Sequence, residues 1–143
     1  MTRNKTLDDD YQRRALAGLI GVPATDGNDL TILRNGDEIF PAMLEAVQGA
    51  ERTIDFLTFV YWDGDIGRRF AESFIDAGRR GLRVRVLLDS IGARLIDNEM
   101  VDAMSEAGCD VRWFRPVEVG NLGEANHRTH RKIMIVDESI AFT

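Results

Sequence analysis

The sequence predicts an α/β fold, in which a largely parallel mixed sheet is flanked by helices. From residue 29 onward, segments with strand periodicity alternate with segments with helix periodicity. Gly81 and Gly108 stand where two of these helices should end. Strands connected through helices run parallel, with the helices on the faces of the sheet. The chain of 143 residues, 44% hydrophobic and 29% charged, has ordinary globular composition.

The first half of the chain begins with a polar lead-in, residues 1–28, in which the stretch ALAGLIGV predicts a short helix. Residues 29–143 form the predicted domain, which opens with a strand at 29–34. Apolar residues at helical spacing then predict an amphipathic helix over 38–50. The stretch TIDFLTFVYW, residues 53–62, is apolar on both faces, so we expect a central strand that is covered on both sides.

The second half of the chain continues the alternation. Apolar residues spaced from Ile66 to Ala77 predict a helix that ends near Gly81, and a strand follows at 82–89. A third helix is predicted over 94–107. Two further strands, CDVRWF and KIMIVD, are separated by a loop from Pro116 to Asn126.

Composition limits the classes of function. The formal net charge of −6 disfavours loose association with nucleic acid or anionic lipid. Cys109 has no second cysteine with which to form an internal disulfide, which fits a reducing compartment. No apolar run approaches the roughly 18–20 residues of a membrane-spanning helix, and the first residues lack the apolar core of a signal peptide. We therefore expect a cytoplasmic location.

The stretch NHRTHRKIMIVD joins a polar, basic segment directly to an apolar strand. If this strand begins near His130, then His130 and Lys132 project on the same side, because strand side chains alternate between faces. A neutral imidazole can attack phosphorus, and an ammonium group can stabilise the charge on the phosphoryl oxygens. Arg128 and Arg131 add local positive charge. An ordinary basic loop before a strand remains an equal alternative on these features alone.

The same stretch matches the H-x-K-x-x-x-x-D motif at His130, Lys132 and Asp137. Together with the upstream stretches NGDEIFPAMLEAV, LTFVYWDGDIGRRF and RRGLRVRVLLDSIGA, it resembles the cardiolipin synthase-like branch of the phospholipase D superfamily. The resemblance covers roughly residues 29–143. The family often has an acidic residue followed by an aromatic in its second strand, whereas this chain reads Leu57-Thr58-Phe59, so we expect no substrate contact there.

This resemblance implies an enzyme, a phosphodiesterase or phosphatidyltransferase that works through a phosphohistidine on His130 without a metal or cofactor. Its substrate would be a phospholipid or another phosphodiester, with peripheral membrane contact in the full-length protein. Members with two motifs bring two histidines to one active site, the second acting as general acid. The chain then corresponds to a truncated first half of a phospholipase D-like fold, an N-terminal fragment that is inactive alone. The missing C-terminal half or a second copy would complete the site.

The predicted catalytic residues are His130, Lys132 and Asp137, and the predicted substrate-binding residues are Arg128 and Asn126. His130 and Lys132 are the chemical pair. Asp137 lies an odd number of residues from His130, so on a regular strand it points to the other face. We expect Asp137 to be a framework residue that accepts hydrogen bonds from backbone N–H groups in the turn that follows it.

Three alternatives remain. The first is a nuclease of the same superfamily, which the acidic balance disfavours. The second is a receiver-like signalling domain, in which Asp89 would accept phosphate beside Asp37, Glu38 and Lys132. In the third, the two histidines bind zinc together with a nearby glutamate, although two histidines and one cysteine make a complete ligand shell hard to assemble.

Overall fold

The computed structural model describes residues 7–116, 128 and 130–143, with side chains from residue 10 onward. The chain divides into two units, Met1–Ile32 and Leu33–Thr143. Helix α1 (Leu7–Ile20) belongs to the first unit, and it begins earlier than the short helix predicted from ALAGLIGV. An ion pair between Arg13 and Asp26, at 2.8 Å, joins this helix to the segment that follows it.

The second unit contains three helices and five strands among its described residues. They are, in chain order, α2 (Asn35–Gln48), β1 (Thr53–Thr58), α3 (Asp65–Arg79), β2 (Arg83–Asp89), α4 (Asn98–Glu106), β3 (Asp110–Phe114), β4 (Ile133–Val136) and β5 (Ile140–Phe142). Gly81 and Gly108 follow α3 and α4 with φ values of +85° and +93°, the left-handed conformation typical of a residue after a helix. The predicted helices over 38–50, 66–80 and 94–107 are confirmed, with boundaries moved by a few residues.

Within the described residues, the strands form one sheet in the order β3-β2-β1-β4-β5. The pairs β1–β2 and β2–β3 are parallel, because the connections through α3 and α4 return the chain to the same end of the sheet. The pairs β1–β4 and β4–β5 are antiparallel. The predicted α/β class and the central position of β1 are confirmed, and the sheet is mixed.

The prediction of a strand at 29–34 is wrong. These residues pair with no strand in the described part of the chain, and Leu30 and Ile32 are 88% and 80% exposed. Their alternation resembles a strand, but alternation stabilises a strand only where a partner edge and an apolar surface receive it. The segment instead leads into α2, where the backbone N–H of Arg34 donates to the carboxylate of Glu38 at 2.6 Å.

The core lies between one face of the sheet and helices α2, α3 and α4. Its largest fully buried apolar side chains are those of Val47, Ile54, Phe74, Val84, Val86, Leu88, Met104, Met134 and Val136. On β1, β2 and β4 these residues alternate with others that point to the opposite face.

The opposite face of the sheet carries half-buried apolar side chains and charged pairs. Leu57, Leu87 and Ile135 are half-buried there, beside an ion pair between Asp55 and Arg85. The Arg85 guanidinium lowers the pKa of Asp55 by donating a hydrogen bond to it. The described helices of the second unit therefore cover one side of β1, whereas the sequence predicted covering on both sides.

A tight turn connects β4 to β5. Its central residues Asp137 and Glu138 have φ values of 52° and 59°, and the backbone N–H of Ser139 donates to the carbonyl of Val136 at 3.1 Å. Both central residues are thus in the left-handed region, which hairpin turns of this type require and which glutamate rarely adopts.

Candidate active site

The candidate site lies at the edge of the sheet where β1, β2 and β3 end and β4 begins. In sheets with parallel strands, ligands bind outside the carboxyl ends of the strands. Here the ends of β1 and β2 contribute Phe59 and Asp89, and the segment entering β4 contributes Arg128, His130 and Lys132. Residues from distant parts of the sequence therefore meet at one edge.

His130 is exposed, and its imidazole stacks on the ring of Phe59. The two ring centroids are 4.2 Å apart, and the ring planes differ by 19°. The edges of the imidazole, which carry both nitrogen atoms, are not used by this face-to-face contact. A ring nitrogen thus remains available to a substrate.

Lys132 is also exposed, and its Nζ donates a hydrogen bond to the carbonyl oxygen of His130 at 2.9 Å. Strand β4 begins at Ile133, so both residues precede the regular strand. Contrary to the prediction, strand alternation therefore does not set the directions of these two side chains. The hydrogen bond from Lys132 instead keeps its ammonium group beside the backbone that carries the imidazole. A charge in this position can stabilise phosphoryl oxygens at the imidazole.

Arg128 is buried, with 8% of its side chain exposed, at the ends of β2 and β3. Its Nη1 donates to the Ser90 hydroxyl at 3.0 Å and to the carbonyls of Phe114 and Arg115 at 3.3 and 2.9 Å. The same nitrogen lies 3.7 Å from the carboxylate of Asp89, whose side chain is 1% exposed. These contacts favour an anchoring role for Arg128 over the predicted role in substrate binding.

Asp89 forms a turn at the end of β2. One carboxylate oxygen accepts hydrogen bonds from the backbone N–H groups of Ile91 and Gly92, at 2.9 and 3.1 Å. The other oxygen is buried without a hydrogen bond and faces Arg128, whose Nε is likewise buried without one. The Asp89 carboxylate and the Arg128 guanidinium thus compensate each other's charge, although the 3.7 Å between them is longer than a hydrogen bond.

Asp137 is placed at the opposite end of β4 from His130. Its carboxylate accepts hydrogen bonds from the backbone N–H groups of Glu51, Arg52 and Thr53, at 2.8 to 2.9 Å. We expected partners in the turn after Asp137, which was wrong, because the start of β1 presents its unpaired N–H groups to the carboxylate. These bonds hold the pKa of Asp137 below its usual range, since they favour the ionised form.

The contact of Phe59 with His130 was not predicted from the sequence, which gave only the expectation of no substrate contact at Leu57-Thr58-Phe59. Phe59 and His130 are far apart in sequence, and their contact arises from the antiparallel pairing of β1 with β4. Asn126 and His127 lie outside the described residues, as do the glutamates considered as zinc ligands.

Within the described ranges, no three His, Cys, Asp or Glu side chains are grouped closely enough to hold a metal ion. No helix in the described part of the chain is long and apolar enough to cross a membrane.

The sheet order, with antiparallel pairs on both sides of β4, differs from the order 2-1-3-4-5 of receiver-type domains.

Comparison with known proteins gives consistent matches. Residues 43–143 match the family model described as "Cardiolipin synthase, PLD-like domain". The chain is 33% identical to cardiolipin synthase B of Escherichia coli K12 over 119 residues, which cover 82% of this chain and 29% of that protein. It is 35% identical to cardiolipin synthase 1 of Bacillus anthracis over 124 residues, 86% of this chain and 24% of that protein. The chain thus spans less than a third of the length of these relatives.

Comparison with solved structures gives two matches among others. TrmBL2, an archaeal chromatin protein, has a TM-score of 0.52 and 19% identity, over 92% of this chain and 47% of that chain. Nuc of Salmonella typhimurium, a phospholipase D family member, has a TM-score of 0.49 and 19% identity, over 72% of this chain and 60% of that chain. At this level of identity the similarity to TrmBL2 concerns the fold alone.

Proposed function

Because this chain belongs to the family of phospholipase D-like domains of cardiolipin synthases, we propose that it contributes the nucleophile of a phosphodiesterase or phosphatidyltransferase. The proposal rests on one observation above all. The imidazole of His130 is exposed at the end of the sheet where β1, β2 and β3 end. The Lys132 ammonium group donates a hydrogen bond to the backbone carbonyl oxygen of His130. This pair combines a nucleophile with a charge donor for phosphoryl oxygens.

The proposed reaction has two steps. In the first, a neutral ring nitrogen of His130 attacks phosphorus, an N–P bond forms, and the P–O bond to the leaving alcohol breaks with its electron pair on oxygen. That oxygen takes a proton from a general acid. In the second, the oxygen of water or of an acceptor alcohol attacks phosphorus and gives its proton to the now deprotonated general acid, while the N–P bond breaks with its electron pair on His130. Lys132 stabilises the phosphoryl oxygens in both steps.

The general acid would be a second histidine, supplied by a second copy of the chain or by further sequence of the kind that the longer relatives contain. This division of labour predicts that the 143-residue chain does not turn over ordinary diesters by itself. A diester with an acidic phenol as leaving group removes the need for the acid, since the phenolate departs without protonation.

A phospholipid is the favoured substrate class, because the curated relatives are named cardiolipin synthases. Hydrolysis of nucleic acid is the second candidate. No contact at the site favours it, and the formal charge of −6 opposes binding of a polyanion.

The experiment uses bis(p-nitrophenyl) phosphate with the purified chain. We expect a burst of p-nitrophenolate of about one equivalent, without sustained turnover, and a covalent adduct on His130 in the mass spectrum. His130→Gln should abolish the burst, and Lys132→Met should slow it by roughly 100-fold, the usual cost of removing a group that stabilises transition-state charge. Chelation should leave the burst unchanged, because Lys132 supplies the charge that Mg²⁺ provides elsewhere.

Arg79→Met is a matched control for Lys132→Met, since it removes a positive charge from the last turn of α3. It should leave the burst as it is. A full burst in His130→Gln would exclude His130 as nucleophile, and loss of the burst on chelation would indicate a metal-dependent site. Release of dye by many turnovers would show that the 143-residue chain, as one copy or as two, supplies the second acid–base group as well.

A further inference from the structure

We propose that Phe59 is a positioning residue for His130, which fixes the plane of the imidazole so that a ring nitrogen keeps its direction toward phosphorus. This inference rests on the proposed function. It adds a residue that the H-x-K-x-x-x-x-D pattern does not contain. The carrying observation is the stacked contact between the two rings, with centroids 4.2 Å apart and planes inclined by 19°.

The lone pair of a neutral imidazole nitrogen lies in the plane of the ring. A neighbour stacked on the ring face therefore restrains the direction of attack without covering the nitrogen. In the described part of the chain, Phe59 is the aromatic ring that stacks on the imidazole of His130. Because His130 is exposed, its side chain would otherwise sample several rotamers at this edge.

Phe59 can act in this way because its own backbone is held firmly. It follows directly on β1, and the Thr58 hydroxyl donates to the carbonyl of Val60 at 2.9 Å. The backbone of Gly92, from the segment after β2, packs against it so closely that a Cβ at Gly92 would lie 2.0 Å from the Phe59 carbonyl oxygen. The indole N–H of Trp62 donates to the carbonyl of Gly92 at 3.2 Å, which helps to hold the Gly92 backbone against Phe59.

Separate contacts lie near His130 in the sequence. Arg128, two residues before it, is buried against the ends of β2 and β3, and Lys132, two residues after it, bonds to its carbonyl oxygen. These contacts restrain the chain near His130, and rotation of the exposed imidazole is a freedom that they leave. Phe59 restrains this rotation.

The first measurement is the proton NMR spectrum of the histidine ring in the 143-residue chain. A stacked phenyl face shifts the C–H protons of the imidazole upfield by its ring current. Phe59→Leu should move the His130 signals downfield toward the values of an unstacked histidine, and Phe59→Tyr should keep them in place. The His130 signals are identified by their loss in His130→Gln, and the variants are compared under conditions where thermal unfolding confirms that each is folded.

The second measurement is the burst with bis(p-nitrophenyl) phosphate. Phe59→Leu should lower the rate constant of the burst by roughly 10-fold, which is within the range caused by a small misplacement of a reacting group. The substrate concentration that gives half the maximal rate should not change, and Phe59→Tyr should restore the rate. A residue that only stabilises the fold would change the amount of active protein and leave the rate constant as it was.

Phe40→Leu is the matched control. Phe40 lies on α2, is 39% exposed, and makes an aromatic contact with Phe70, so the same side-chain change is made away from the site. It should leave both the His130 signals and the burst rate constant unchanged. A normal burst rate constant in Phe59→Leu, or unshifted His130 signals, would overturn the inference and leave the proposed nucleophile intact. Absence of a burst in the unchanged chain would overturn both proposals.

Discussion

Arg128 and Asp89 are two oppositely charged side chains buried within 4 Å of each other at the ends of β2 and β3. Burial of either charge alone is costly, because the desolvation penalty is met only when a partner and hydrogen bonds are present. The pair therefore connects the segment that carries His130 to the rigid end of the sheet. The contribution of the pair to the free energy of unfolding depends on both Arg128 and Asp89 being present.

At the scale of these two residues, we expect Asp89→Ala to lower the free energy of unfolding by about 3–5 kcal/mol, because it leaves a buried guanidinium without its anion. Arg128→Met should destabilise by a similar mechanism, through the buried carboxylate. The double variant should lose less than the sum of the single losses, since both uncompensated charges are then absent. Urea denaturation of the four proteins measures this difference.

Asp102→Ala, at an exposed position of α4, serves as the control for removal of a carboxylate. It should change stability by less than about 0.5 kcal/mol. Strict additivity of Asp89→Ala and Arg128→Met would contradict an energetic coupling between the two charges.

The β4–β5 hairpin is the element in which sequence and backbone conformation disagree most clearly. Its turn requires positive φ at two positions, and Glu138 occupies the second with φ of 59°. Glu138 approaches Arg83 at 3.6 Å, but both side chains are well exposed, and such pairs contribute little. The turn is thus held in place by the contacts around it and not by the preference of Glu138.

For this element we expect Glu138→Gly to raise the free energy of unfolding by about 1 kcal/mol, because glycine adopts positive φ without the steric cost of a side chain. The variant also creates Asp-Gly, a favoured sequence for such turns. Thermal or urea unfolding at neutral pH is the measurement.

Ser139→Gly is the matched control, since Ser139 follows the turn and has no positive φ. Here glycine should lower stability by about 0.5–1 kcal/mol through the entropy of the unfolded chain. If Glu138→Gly lowered stability by as much as Ser139→Gly, the strain assigned to Glu138 would be absent.

At the scale of the whole molecule, Asp137 links β1, the first strand of the sheet in sequence, to the β4–β5 hairpin, which contains the last two. Its carboxylate binds the backbone that enters β1, while its own backbone N–H donates to the carbonyl of Thr53 at 2.9 Å. In addition to the pairing of β1 with β4, one side chain thus links the central strand to the β4–β5 hairpin. The ionised form makes these bonds, which is why the pKa of Asp137 is lowered.

This lowered pKa predicts how stability depends on pH. Since the folded value lies below the unfolded one, the contribution of Asp137 is complete at neutral pH and is lost as the pH falls below about 4, through the folded value. Asp137→Asn should therefore be less stable than the unchanged chain at pH 7, and the difference should shrink at pH 3. Urea midpoints at several pH values give the comparison.

Asp102→Asn, with an exposed carboxylate on α4, provides the control and should follow the unchanged chain across this range. A gap between Asp137→Asn and the unchanged chain that widened on acidification would contradict the assigned direction of the pKa.

The sequence predicted helices α2, α3 and α4 because each carries an apolar face of helical period next to a glycine or an acidic start. It could not predict that β4 pairs antiparallel with β1. The direction of a strand after a long loop depends on the path of the loop, and alternation alone does not record it. The false strand at 29–34 has the same origin, because a pattern of alternating residues carries no information on whether a partner edge exists.

At the site, His130 and Lys132 could be found because they belong to a short sequence motif, H-x-K-x-x-x-x-D, which can be read without knowing which strands are neighbours. The contact of Phe59 with His130, and that of Asp89 with Arg128, depend on which strand ends meet at one edge. Asp137 lies between these cases. Its framework role was inferred from parity, whereas its partners at Glu51 to Thr53 come from across the sheet.

The pairing of β1 with β4 also has a consequence for how the chain folds. β1 can pair with β2 soon after α3 is formed, but its other edge stays open until residues 133–136 are available. Bringing two strands so far apart in sequence together requires closure of a long loop before the contact is rewarded, which makes folding slow. During synthesis the other edge of the central strand therefore remains exposed to other chains or to chaperones until β4 arrives.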